Sequence, residues 1–154
     1  MKRERMKQAT ALDASLLPWS HRCNAVGRAL ITMAAGVLAA LFGTFAHRMG
    51  AEMNIPYGLV IAFLLIGLST WCARARSGVI GLGLHLITSS ATAWGIALTA
   101  TNGNAVIVGG FQVAMPFFSQ YAGYIWLYGL IVVQVLELFM PSRWFVVPPR
   151  KPLR

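Results

Sequence analysis

Acidic side chains are scarce: four Asp and Glu stand against thirteen Lys and Arg in 154 residues, and charged residues of both signs make up only 11%. With so few carboxylates and no two set as a pair, general acid–base chemistry has no candidate. Cysteine is also rare. Cys23 and Cys72 form no Cys-x-x-Cys motif, and both fall on the side read below as cytoplasmic, where a structural disulfide is not expected. The three histidines, His21, His47 and His85, are scattered, and the lone His21-x-Cys23 spacing has no further ligands nearby to make a metal site. There is no hydrolase elbow, phosphate-binding loop or zinc-protease motif, and Gly81-Leu82-Gly83 lacks the strand and third glycine of a dinucleotide fingerprint. The chain therefore reads as a non-enzyme with neither cofactor nor metal.

What is abundant is apolar surface. Hydrophobic residues make up 57% of the chain, outside the range of soluble domains. They gather in four runs, about 29–46, 57–73, 78–100 and 121–140. Roughly 20 apolar residues at 1.5 Å each cross a hydrocarbon core of about 30 Å, so each run is a candidate transmembrane helix. Met53, Ile55 and Pro56 extend the shorter second run outward. The cations are distributed unevenly between the runs. Lys2, Arg3, Arg5, Lys7, Arg22 and Arg28 precede the first, Arg74 and Arg76 separate the second from the third, and Arg143, Arg150, Lys151 and Arg154 follow the fourth. The gap after the first run holds Arg48, and the gap after the third holds no charge. Cationic flanks stay on the cytoplasmic side. The expectation is an all-α polytopic protein of the cell membrane, with four transmembrane helices in an antiparallel bundle and both termini cytoplasmic. A net charge of +9 is then topological and leaves no call for nucleic acid. The basic tails face anionic lipid headgroups.

Three regions follow: a basic cytoplasmic tail over 1–28, a membrane domain over 29–140, and a basic Pro-rich cytoplasmic tail over 141–154. In the first tail, Leu12, Leu16, Leu17 and Trp19 suit either a short amphipathic turn at the inner surface or an unstructured end. Thr44-Phe45-Ala46 is a passable signal-cleavage context, but the preceding apolar run is too long for a signal peptide and reads as an uncleaved anchor. The external segment 101–120, broken by Asn102-Gly103-Asn104, Gly109-Gly110 and Pro116, is too short to span and is expected on the outer rim. Tyr121, Tyr124, Trp126 and Tyr128 follow as an interfacial aromatic belt. Pro148, Pro149 and Pro152 favour an extended carboxy tail.

Small residues mark where helices approach. Gly36, Ala40 and Gly43 share a face of the first run, and the expectation is packing within one subunit. Gly67, Gly81, Gly83, Ala91 and Gly95 read likewise. Polar groups inside the apolar runs are few and point to function by default. His85 lies about 10 Å into the third run, and Glu137 about one turn inside the end of the fourth. Gln134 precedes Glu137 by three on the same side. His85, Gln134 and Glu137 are therefore a candidate intramembrane polar cluster, serving as a proton relay or as an interhelical bond, with Glu137 alternatively reaching Arg74, Arg76 or Arg143. Ser69, Thr70, Thr88, Ser89, Ser90 and Thr92 are expected to bond back to carbonyls one turn earlier. His47, Arg48 and Glu52 read as a solvated loop.

The motifs Ile55-Pro56-Tyr57-Gly58-Leu59, Arg74-Ala75-Arg76, Trp94-Gly95 and Asn104-Ala105-Val106-Ile107, with Tyr124 and Gly129, resemble those of a family of small actinobacterial membrane proteins of unknown function. Tyr57 interrupts the Pro-Gly-Gly that family favours, and an acidic residue is missing near Asn104. The resemblance implies a four-span topology over about 29–140 and no activity. Two readings of function remain. One is an accessory or scaffold subunit of a membrane complex, associating with another membrane protein or with itself. The other is a homo-oligomeric small-molecule or ion transporter or channel using Glu137 and His85.

Overall fold

In the computed structural model, residues 16–99 and 115–148 are described, and among them every regular element is helical. A four-residue helix α1 (Trp19–Arg22) precedes α2 (Ala25–Ala46), α3 (Tyr57–Thr99) and α4 (Phe117–Phe139). Short 3-10 turns lie at Ala51–Met53 and Ser142–Phe145. Three helices, α2, α3 and α4, are long and apolar enough to cross a membrane.

The longest of them is not one rod. Inside α3, Ser77 (φ −138°, ψ 16°) and Gly78 (φ 63°, ψ −148°) leave helical geometry. Gly78 takes a backbone conformation essentially reserved for glycine. The consequence shows in side-chain contacts: Thr70 Oγ1 and His85 Nδ1 are 3.1 Å apart. In a straight helix, fifteen residues would separate them by about 22 Å. The chain has folded back on itself, and 57–76 and 79–99 are the two antiparallel arms of a hairpin. Each arm is about 30 Å long at 1.5 Å per residue. Both α2 and α4 pack against this hairpin.

Local chemistry places the helix ends. Asn24 caps α2, its Oδ1 accepting from the Gly27 amide at 2.7 Å, and so the helix begins four residues before the apolar run. Pro56 stands immediately before α3, where its missing N–H costs nothing. Arg74 closes α4 from the side. Its guanidinium donates to the carbonyls of Glu137 and Met140, the second at 3.0 Å, supplying cations and donors where a helix end leaves carbonyls bare.

Small residues line much of the interior, around Trp126, Ile66 and Leu130, and most exposed positions carry large apolar side chains. Ala40, Ala62, Ala93 and Ala122 are fully buried, while Phe45 (69%), Leu68 (67%), Ile80 (76%), Leu98 (77%) and Phe139 (79%) are exposed. Small inward faces let backbones approach, which is what drives packing where lipid gives no hydrophobic reward. The predicted stripe serves this purpose within the chain. Gly36 and Gly43 are buried, and a Cβ would strike Thr88 at the first and the Trp126 ring at the second.

Four expectations change. The fourth apolar helix starts at Phe117, so 117–120 of the expected outer segment are helical; 100–114 lie outside the described residues, as do 1–15 and 149–154. The beginning of the carboxy tail is not a free extended strand. Phe145 is buried, tilted against Trp71 at 4.4 Å, and the Arg74 guanidinium lies 4.0 Å above its ring. The later prolines restrict only themselves and the residue before each, so they leave 142–145 free to make these contacts, and Val146 beyond them is extended. Trp126 does not join Tyr121, Tyr124 and Tyr128 in the exposed belt but is fully buried, its Nε1 donating to Thr44 Oγ1 at 3.1 Å. His47 is not in a solvated loop: it is 1% exposed and stacked on Trp126 at 6.4 Å.

Candidate functional site: a buried polar cluster

Thr70, His85, Ser89 and Gln134 lie together in the interior, each with no exposed surface. Thr70 comes from the first arm of the hairpin, His85 and Ser89 from the second, and Gln134 from α4. A single proton arrangement satisfies the set. With the imidazole proton on Nδ1, that nitrogen donates to Gln134 Oε1 at 2.8 Å, and Nε2 accepts from the Ser69 hydroxyl at 2.8 Å. The Gln134 amide group donates to Ser89 Oγ and to the Leu130 carbonyl, both at 3.0 Å. Thr70 donates to the Ile66 carbonyl at 2.7 Å, which leaves its oxygen free to accept from His85 Nδ1. Ser89 donates to the Leu86 carbonyl at 3.3 Å.

Of the three residues singled out from the sequence, His85 and Gln134 meet directly. Glu137 takes another course. It is 5% exposed, its backbone carbonyl is held by Arg74, and its Oε1 faces Gly67 of the first arm. Its Oε2 is buried without a hydrogen-bond partner. His85 and Glu137 share no hydrogen bond among those of the described residues. The hydroxyls divide as well. Thr88 and Thr92 bond back one turn, to Leu84 and Thr88, while Ser69, Thr70 and Ser89 also reach the cluster. Their signal was their register: Ser69 and Thr70 stand as far before the Ser77–Gly78 break as His85 stands after it.

A second polar arrangement sits at the opposite end of the bundle. His47, just past α2, donates through Nδ1 to the Thr44 carbonyl, while Nε2 is buried without a partner. Burial holds its pKa below the ordinary 6.5; the Thr44 carbonyl opposes that shift and the neighbouring Arg48 adds to it. Nothing in the sequence pairs His47 with Trp126 except Gly43, whose missing side chain is the space the indole fills.

Among the described residues no group of three His, Cys, Asp or Glu side chains could hold a metal ion. The cluster's chemistry is that of neutral donors and acceptors satisfied by one another, which joins three helical segments and fixes their rotation. Comparison with protein-family models, curated proteins and solved structures finds no match to this chain.

Proposed function

We propose that the chain is a four-span protein of the cell membrane, with both termini cytoplasmic, and that it acts as an accessory or scaffold subunit of a membrane complex. The topology is supported by where the cations lie. The start of α2 and the hairpin turn line one cavity with Arg28 and Arg76, and Arg74 lines another with Leu17 and Ser142, so the basic segments share one end. Arg48 lies at the other, hydrogen-bonded to the Ser119 carbonyl at 3.5 Å. Cation-rich ends face the cytoplasm. Kinship with the small actinobacterial membrane family is part of the same proposal.

The observation that carries the scaffold reading is the saturation and burial of Thr70, His85, Ser89 and Gln134. A coupling site for an ion or substrate must exchange its partner with water on each side in turn, near the bilayer midplane. Here every position on the imidazole and the amide is spent inside the chain, and the only member reaching the outer surface, Ser69, does so on a helix face. The polar residues hold the bundle's shape, and that shape is what another membrane protein would use. The transport reading needs His85 and Glu137 to act together, and the two have separate partners.

Mild solubilisation of the tagged full chain from its own membranes, followed by mass measurement, tests this. The expected result is a different membrane protein retained at fixed stoichiometry. A homo-oligomer with no other protein bound would overturn the scaffold reading and make Glu137 the first residue to substitute.

A further inference from the structure

The basic end of the bundle holds a cavity of about 370 Å³, set between the first turns of α2 and the turn of the α3 hairpin. Arg28 lines it from α2 and Arg76 from the hairpin, with Ala29 and Gly78 beside them and Ile80 and Leu84 forming one wall. Both arginines line it. The Nε atoms of Arg28 and of Arg76 are each buried with no hydrogen-bond partner. Arg76 is also held in place, one of its terminal nitrogens donating to the fully buried Thr32 hydroxyl at 3.0 Å.

No carboxylate among the described residues balances these charges. Among the described residues the acids are Glu52, in the turn at the other end of the bundle, and Glu137, and neither lines the cavity. Two helices, α2 and the second arm of α3, also begin at this cavity, and their amino ends add partial positive charge. Two cations lining one cavity, each with an Nε that finds no acceptor within the chain, favour an anion there. A guanidinium offers five donors in a fixed fork that matches the oxygens of a phosphate.

We propose that Arg28 and Arg76 form a binding site for a phosphate group, filled by the headgroup of a membrane phospholipid. A free phosphate shares the chemistry of the polar floor. The apolar wall distinguishes the two: Ile80 is 76% exposed directly beside the arginines, which suits an acyl chain leaving the headgroup along the helix surface. Basic pockets between transmembrane helices on the cytoplasmic side bind anionic headgroups in this manner. The site rests on the bundle lying in a bilayer but not on the scaffold role.

The test is native mass spectrometry of the purified full chain, delipidated and titrated separately with phosphatidylglycerol, with diacylglycerol of the same tails, and with inorganic phosphate. Fractionation of the chain with membranes is read beforehand, so failure of the membrane reading shows before any ligand is added. The expected result is one phosphatidylglycerol per chain and no diacylglycerol, with binding weakened at least about tenfold in the Arg28→Gln, Arg76→Gln double variant and unchanged in Arg143→Gln. Saturation by inorganic phosphate, lost in the same double variant, with no preference for the lipid would overturn the lipid source and leave the phosphate site. Equal binding by the double variant, or equal loss in Arg143→Gln, would overturn the site itself. If the double variant does not fold, Ala25→Trp fills the cavity while keeping both cations; loss of the bound lipid is expected, and unaltered binding would overturn the proposal.

Discussion

Gln134 is the residue through which the buried cluster is joined, since its carbonyl faces His85 while its amide reaches Ser89 and the Leu130 carbonyl. Removing it strands the imidazole N–H with only the more distant Thr70 oxygen. A double-mutant cycle of His85→Ala and Gln134→Ala, read by equilibrium unfolding in detergent, is expected to give a coupling of about 0.5–2 kcal/mol. Additive effects would mean that the two side chains do not act together. Both residues were legible in the sequence as polar groups at matching depth in apolar runs, and Arg74 was among the alternatives read for Glu137, but which of the two courses Glu137 takes was not. Three residues on a helix are about 300° of rotation and 4.5 Å of rise. That shift moves Glu137 from the face of His85 to the end where Arg74 holds the helix terminus. Spacing gives an angle along one helix; it does not say which neighbour occupies it. Trp126 was misplaced for a related reason, because an indole suits an interface or a buried slot equally, and the slot is made by Gly43 on another helix.

At the scale of elements, the break in α3 governs the architecture. The connection was readable as a charged interruption between apolar runs, and Pro56, Asn24 and Gly78 each stand where a helix end needs them. Gly78 carries φ 63° and ψ −148°, and a Cβ there would meet no atom within 4 Å. The cost of a side chain is therefore purely one of backbone conformation. Gly78→Ala is expected to destabilise the bundle by about 1–3 kcal/mol. Gly83 is equally open but helical, and Gly83→Ala is expected to be neutral or to stabilise by up to about 1 kcal/mol. Equal effects at the two positions in the same unfolding assay would contradict the hairpin geometry. The packing of 142–145 was not readable, since three prolines and basic residues dominate that tail, while its conformation here follows from Trp144 and Phe145 meeting Trp71 and Arg74.

The molecule as a whole joins a surface of large apolar residues to an interior of many small ones and a polar cluster that is spent on its own cohesion. The apolar character and the helices were visible from composition and run length alone, because a span needs no partner to be recognised. The number of crossings depends on whether α3 passes the bilayer once or twice. The two cases differ in parity: a hairpin returns the chain to the side it came from, whereas a single crossing puts the two termini on opposite sides. The most direct measurement is the accessibility of tags at the two ends, in intact cells and in cells with a permeabilised membrane, with a Met53→Cys variant labelled by an impermeant thiol reagent as the outer reference. Protection of both tags in intact cells, with Met53→Cys labelled, is the predicted result. A carboxy-terminal tag exposed outside while the amino-terminal tag stays protected would contradict it.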